Sequence, residues 1–285
     1  MPHSIEKPAI AAALREAASE GRLSWEAELR LGRELSLDPR DLEGAALEAG
    51  LRLERYARNF RTIDAEGQLR LHRSRVLVAG AGGLGGYLVE ELARLGVGSI
   101  LVVDPDSFDA SNLNRQLLSS LSELGKPKVE AARARVGAIN PAVLVEARVL
   151  RLDAANAEAL LAGATSAEGV DCAADALDSI PDRLMLEKAC AAAKVPLVHA
   201  AIAGPYVQAT TILPGTGSLA RLFGKGSPPK GIETELGNPA YTPAIAASIE
   251  VSEIVRILLG KPPALAGILF HLDLERMESV RLPLG

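Results

Sequence analysis

The run GAGGLGG at 80–86 directly follows the apolar stretch SRVLVA at 74–79. Gly80, Gly82 and Gly85 fit the G-x-G-x-x-G spacing of a nucleotide-binding turn. Glycines there let the backbone approach a phosphate or ribose closely, and the following helix N-terminus supplies N–H groups and a favourable dipole. The next strand pattern ends ILVVDPD, which puts Asp104 nineteen residues after Gly85. A carboxylate at that place accepts hydrogen bonds from ribose hydroxyls. Up to this point a nicotinamide-dependent oxidoreductase and a nucleotide-consuming enzyme read alike.

The downstream segments separate them. DPDSFDASNLNRQLL places Asn112, Asn114, Arg115 and Gln116 just beyond the second strand, and LGKPKVEAARARVGAIN puts Lys126 and Lys128 at the opening of a helix. Arg115 and Lys128 bring two cations to the carboxyl edge of the sheet. A dinucleotide pyrophosphate, served by the glycine turn, does not require them. A triphosphate being split does, because negative charge shifts onto the leaving pyrophosphate. Further on, VDCAADALDSIPDRLML sets Asp175 and Asp178 at the end of a fourth strand. One is placed to hold Mg²⁺, a hard cation that prefers carboxylate and phosphate oxygens, and the other to cap the next helix. Asp182 and Arg183 read as the start of that helix.

These residues need a scaffold that gathers strand ends. Short apolar runs at 76–79, 100–104, 143–149, 170–174 and 197–200 alternate with helical patterns at 84–95, 128–139, 156–161 and 181–194. Such alternation predicts an α/β, Rossmann-like, mainly parallel sheet with right-handed crossovers. YVQATTIL at 206–213 then alternates as an antiparallel strand does. A Gly/Pro-rich stretch at 214–239 reads as a long crossover-type loop, and a helix at 243–259 and strands at 268–272 and 279–282 close the chain. Residues 1–54 form a separate helical N-terminal domain, with patterns at 9–19, 24–35 and 41–51. Asp38 and Pro39 suit an N-cap and a first-turn proline. Leu14, Leu23, Trp25, Leu29, Leu35, Leu37, Leu42 and Leu47 make its apolar side. No catalytic constellation lies in it, so it reads as a docking or stabilising unit. Residues 55–285 carry the nucleotide site.

Composition excludes several classes. The 285 residues are 48% hydrophobic and 3% aromatic, with a net charge of −5. An acidic chain lacks the basic face of nucleic-acid binders. No apolar stretch approaches the roughly 20 residues that span a bilayer, and no signal-peptide pattern opens the chain. Two cysteines, Cys172 and Cys190, make neither a disulfide framework nor a four-thiolate metal site. A cytoplasmic protein is expected.

Taken together, the glycine turn, SNLNRQ, GKPKVE, DALDS and the LERYARNF element at 53–60 resemble the ThiF/MoeB/HesA family, bacterial relatives of the ubiquitin-activating enzymes. The resemblance runs from about residue 55 to 284. It implies ATP-dependent adenylation of the C-terminal glycine carboxylate of a small ubiquitin-like sulfur carrier ending in Gly-Gly, of the molybdopterin, tungsten-cofactor or thiamine type. By position, it implies that Gly83 lies in the nucleotide turn and Asp104 binds the ribose. Asn112, Arg115, Gln116 and Lys128 would then surround the phosphates, and Asp178 would bind Mg²⁺. Arg58 matches an arginine that reaches into the neighbouring subunit's site, which implies a homodimer. The bottom-up chemistry agrees: an already ionised carboxylate attacks the α-phosphorus, so no general base is required.

The chain departs from the family pattern in two places. Where many relatives carry a C-x-x-C zinc pair it has Ser218 and Arg221, and no second pair exists; no zinc is expected. The segment GIETELGNPAYTP at 231–243 contains no cysteine for a thioester. Cys172 and Cys190 read as core residues, so the reaction is expected to stop at the acyl-adenylate. The 214–239 loop is the segment expected to pass over the carrier's tail, with Lys225 and Lys230 as assisting charges. His199 reads as structural, and His3, His72 and His271 lack ligand spacing. Alternative readings are adenylation of a peptide or a tRNA carboxylate, a NAD-dependent oxidoreductase, and an inactive scaffold. The last two leave Arg115, Lys128 and Asp178 unexplained.

Overall fold

The computed structural model describes residues 7–163, 169–216, 218–224 and 231–284. The chain opens with α1 (Lys7–Ala17), β1 (Arg22–Leu23), α2 (Trp25–Leu35), α3 (Pro39–Glu48) and β2 (Arg52–Leu53). Ser24 caps α2 by accepting from the Ala27 N–H, and Asp38 caps α3 by accepting from Asp41, with Pro39 in the first turn. Leu14, Leu23, Leu31, Leu42 and Leu47 are buried in one cluster that also takes in Leu53 and Tyr56. Trp25 and Leu29, expected on the apolar side, are instead exposed. The Trp25 ring carries the Arg55 guanidinium, 5.0 Å from its centroid.

The α/β part begins with α4 (Ala65–Arg73), a helix that sequence reading passed over because it carries only two leucines; Asp64 caps it. There follow β3 (Arg75–Ala79), α5 (Gly83–Leu95), β4 (Ser99–Val103), α6 (Lys128–Ile139), β5 (Leu144–Arg148), α7 (Ala157–Leu161), β6 (Cys172–Asp175) and α8 (Ile180–Ala193). The remainder is β7 (Leu197–Ala203), β8 (Tyr206–Ile212), α9 (Ser218–Phe223), α10 (Glu233–Leu236), α11 (Tyr241–Leu258), β9 (Ile268–Asp273) and β10 (Glu278–Pro283). One sheet runs β10-β9-β8-β7-β6-β3-β4-β5. Strands β5, β4, β3, β6 and β7 are parallel, whereas β7–β8, β8–β9 and β9–β10 pair antiparallel. This is the expected α/β architecture. Where a plain loop was expected at 214–239, the described residues include α9 and α10; Lys225 and Lys230 fall outside the described residues.

Strand alternation explains the layering. Val76 and Val78 face one cluster with α5, α6 and α11, while Leu77 and Ala79 face another with α7 and α8. Both faces are covered, so β3 and β4 are buried throughout, as parallel strands must be. No helix among the described residues is long and apolar enough to cross a membrane.

A buried polar network joins the helical segment to the sheet. Arg55 donates to Glu28 and, at 2.7 Å, to the Asn140 side-chain oxygen; Tyr56 donates to Glu43 at 3.0 Å. The Glu28 carboxyl is pushed up to about 7 by burial, with Arg55 pulling it back and Glu43 adding to the rise. A folded-state value above the unfolded one gives stability that is present below about pH 4.5 and lost as pH rises through 7. Glu28→Gln is therefore expected to melt with the wild type at pH 4, below the unfolded carboxyl's value. At pH 8 it should be the more stable by up to about 3 kcal/mol, measured by denaturant titration. A less stable variant at pH 8 would mean that the Arg55 pairing outweighs burial.

Candidate active site

The strand order reverses between β3 and β6, and ligands of open α/β sheets bind beyond the carboxyl ends at such a point. Three strand ends meet there: residues 80–83 follow β3, Asp104 follows β4, and 176–178 follow β6. They open onto a cavity of about 1200 Å³. That exceeds the roughly 300–1,000 Å³ of a small-molecule site, leaving space for part of a second reactant.

The glycines divide by role. Gly80 has φ +101°, and a Cβ there would come within 2.6 Å of the Ala176 carbonyl oxygen. On Gly85 a Cβ would meet the Gly80 carbonyl oxygen at 1.9 Å, so this glycine lets α5 sit against the turn and does not line the cavity. Gly82 and Gly83 differ: the nearest protein atoms to an added Cβ are 3.7 and 3.5 Å away. Their bare backbone is not demanded by packing, and both line the cavity. α5 also has no side-chain cap and no acidic residue in its first turn. Its leading N–H groups are thus available to an anion.

Around that turn stand the side chains read from the sequence. Asp104 is buried; one carboxylate oxygen accepts from the Ala81 N–H at 2.7 Å and the other from Asp106 at 2.8 Å. It therefore locks the glycine turn as well as facing the cavity. Lys128, also buried, holds its ammonium 3.1 Å from Asp106 and 4.0 Å from Asp104. Arg115 donates to the Ser111 carbonyl at 3.0 Å and lines the cavity with Asn112 and Gln116. The buried Gln116 amide oxygen has no protein partner. Asp178 lies exposed on the cavity rim. Arg58 is exposed and does not line the cavity of its own chain. Lys126 is turned away, paired with Glu123, and Asn114 donates to the Asn238 carbonyl instead of facing the cavity.

The two aspartates of β6 part company, and neither caps the next helix. Ser179 does so, accepting from the Asp182 N–H. Asp175 is fully buried, within the strand, and accepts from His199 Nδ1 at 2.7 Å.

Several cavity residues escaped sequence reading. Arg183, read only as helix start, donates twice to the Leu177 carbonyl, at 3.0 and 2.6 Å, from the cavity wall. Its place one turn into the helix after Asp178 was the available signal. Arg151 also lines the cavity and pairs with Asp182, the neighbour of Arg183 on α8, at 3.2 Å. Tyr206, Gln208 and His271 line the far end, where the Tyr206 and His271 rings stack 5.8 Å apart. Only the β8–β9 pairing brings them together, so nothing local announced them.

A bare helix N-terminus, four cations and an unpartnered buried amide fit a polyphosphate better than an uncharged ligand. The thiols fit no chemistry in this cavity. Cys172 and Cys190 are buried, and burial pushes Cys172 well up and Cys190 up to about 12.

Comparison with known proteins gives a consistent result. A family model, described as the ThiF family, matches residues 55–284. The SAMP-activating enzyme E1 of Haloferax volcanii is 36% identical over 235 residues, 81% of this chain and 85% of that protein. The sulfur carrier protein adenylyltransferase of Thermus thermophilus is 36% identical over 231 residues, 78% of this chain and 83% of that protein. Among solved structures, Escherichia coli MccB with a succinimide superposes with a TM-score of 0.68 at 18% identity. It covers 90% of this chain and 82% of that one, a likeness of fold alone.

Proposed function

The chain belongs to the ThiF family and is an adenylyltransferase; from that premise we propose that it activates the C-terminal glycine carboxylate of a small ubiquitin-like sulfur carrier. The observation that carries this reading is the cavity's pairing of a bare glycine turn with Lys128, Arg115 and Arg183 around one opening. One carboxylate oxygen forms a bond to the α-phosphorus, the bond to the β-phosphate bridge breaks, and pyrophosphate leaves. Gly82, Gly83 and the first turn of α5 cradle phosphate oxygens. Asp104 takes the ribose, and Asn112, Arg115, Gln116 and Lys128 surround the phosphates, neutralising the charge that moves to the leaving group. The reaction then rests on positioning and electrostatics, because the attacking carboxylate is already ionised.

Asp178 is the carboxylate we assign to Mg²⁺. Among the described residues no three His, Cys, Asp or Glu side chains converge on a metal position. That suits a cation held by one or two carboxylates, water and phosphate oxygens. When bound, it would supply Lewis-acid stabilisation of the phosphates. Zinc has no place in this reading, with Ser218 and Arg221 where thiolates would stand. Arg58, exposed and away from its own cavity, is assigned to the site of a second copy, making the protein a homodimer. Residues 1–54 are assigned as a helical docking domain and 55–285 as the adenylation domain, working in the cytoplasm.

The test is ATP–pyrophosphate exchange with and without carriers ending in Gly-Gly. Carrier-dependent exchange is expected; its absence with every carrier, together with NADH binding, would replace this reading by an oxidoreductase. A tRNA or peptide carboxylate that supports exchange where carriers do not would redirect it within the same chemistry.

We further propose that the enzyme forms no thioester of its own. A buried thiol with a raised pKa is a poor nucleophile at neutral pH. Replacing Cys172 and Cys190 by serine or alanine is expected to leave exchange within about threefold of wild type in folded protein. Loss of activity without loss of folding would refute this.

A further inference from the structure

His199 does not line the cavity, yet it holds the segment that carries Asp178. The β6–β7 register sets Asp175 beside His199, both fully buried. His199 Nδ1 donates to one Asp175 oxygen at 2.7 Å, and the other accepts from the Leu177 N–H at 3.0 Å. The Leu177 carbonyl is gripped in turn by Arg183, and the Ala176 N–H donates to Ala79 at 2.9 Å. Ala176 also presses on the glycine turn, where a Cβ on Gly80 would come within 2.6 Å of its carbonyl oxygen. Both backbone groups of the residue preceding Asp178 are therefore fixed from outside.

We propose that His199 is a positioning residue: through Asp175 it sets the 176–178 strap, and so the place of the Asp178 carboxylate relative to the bound polyphosphate. The inference rests on the assignment of Asp178 to Mg²⁺. Burial holds the His199 pKa below its ordinary value, so the ring is neutral with its proton on Nδ1. The neighbouring Glu250 carboxyl is pushed well up by burial and by Asp175. That direction disfavours a second anion beside the histidine N–H. Among the described residues His199 Nε2 has no hydrogen-bond partner, and the ring stands edge-on to Phe223, 5.9 Å between centroids. One N–H is thus all the histidine contributes, and asparagine offers an N–H at the same bond separation from Cα.

The test is calorimetric binding of ATP to full-length protein, with Mg²⁺ and with the metal chelated, alongside exchange kinetics. His199→Phe is expected to weaken Mg·ATP binding about tenfold and to leave metal-free ATP, held by the glycine turn, within about twofold. His199→Asn should restore most of the metal-dependent affinity. If the stranded Asp175 charge unfolds the phenylalanine variant, His199→Phe with Asp175→Leu removes that charge, and the same split is expected. Wild-type metal dependence in either folded variant would overturn the inference alone, as would an equal loss of both affinities. A wild-type protein whose ATP binding ignores Mg²⁺ would overturn the Asp178 assignment, and this inference with it.

Discussion

Asp178→Ala is expected to lower carrier-dependent ATP–pyrophosphate exchange by about 10³-fold, some 4 kcal/mol of transition-state stabilisation, without unfolding the protein. The two halves of that expectation have separate physical grounds. Asp178 is exposed on the cavity rim, beyond the end of β6, so truncation opens no core cavity. Surface substitutions of this kind usually move stability by no more than about 0.5 kcal/mol. The carboxylate does, however, line the cavity shared with the glycine turn and the cations, at the reversal of strand order. Asp178→Asn should be nearly as inactive, since shape is kept and charge is lost. Higher Mg²⁺ should recover little in either variant. Wild-type exchange in Asp178→Ala would remove the proposed metal role.

Lys128→Met should be the second most damaging change, costing about 10²-fold or more in exchange with a raised KM for ATP. Methionine keeps most of the volume of a side chain that is only 8% exposed. What it removes is the charge lying 3.1 Å from Asp106 and 4.0 Å from Asp104. Without it, two carboxylates face the place assigned to phosphates, and the site repels what it should hold. Arginine should rescue poorly, because a planar fork cannot occupy the position of a compact ammonium between those acids. A Lys128→Met enzyme within threefold of wild type in both kcat and KM would place the needed cation at Arg115 or Arg183 instead.

The parts of this fold that are local were readable in the sequence. Apolar runs bounded by turns located the five parallel strands to within three residues at each end. Asp38 and Pro39 marked the start of α3, because caps act over three or four residues. The glycine turn, Asp104, Lys128 and Asp178 were legible for the same reason. The glycine turn, Asp104 and Asp178 each begin within three residues of a strand end, and parallel strands deliver their carboxyl ends to one edge; Lys128 instead opens α6 and was read from the helix start after GKP. The helix α4 was not legible, since it carries only two leucines and packs against α3 and α11, elements that the tertiary fold brings to it.

Motif order alone pointed to a nucleotide turn after β3 with cations downstream of it. The tertiary structure decided the division of labour between two chemically identical side chains. Asp175 and Asp178 stand three residues apart at the end of one strand, and residue types alone leave their roles interchangeable. Pairing of β6 with β7 puts Asp175 opposite His199 in the interior, where a carboxylate must be hydrogen-bonded. Asp178 lies past the last paired residue, in solvent and on the cavity rim. That choice depends on contacts between segments 24 residues apart, which no local pattern encodes.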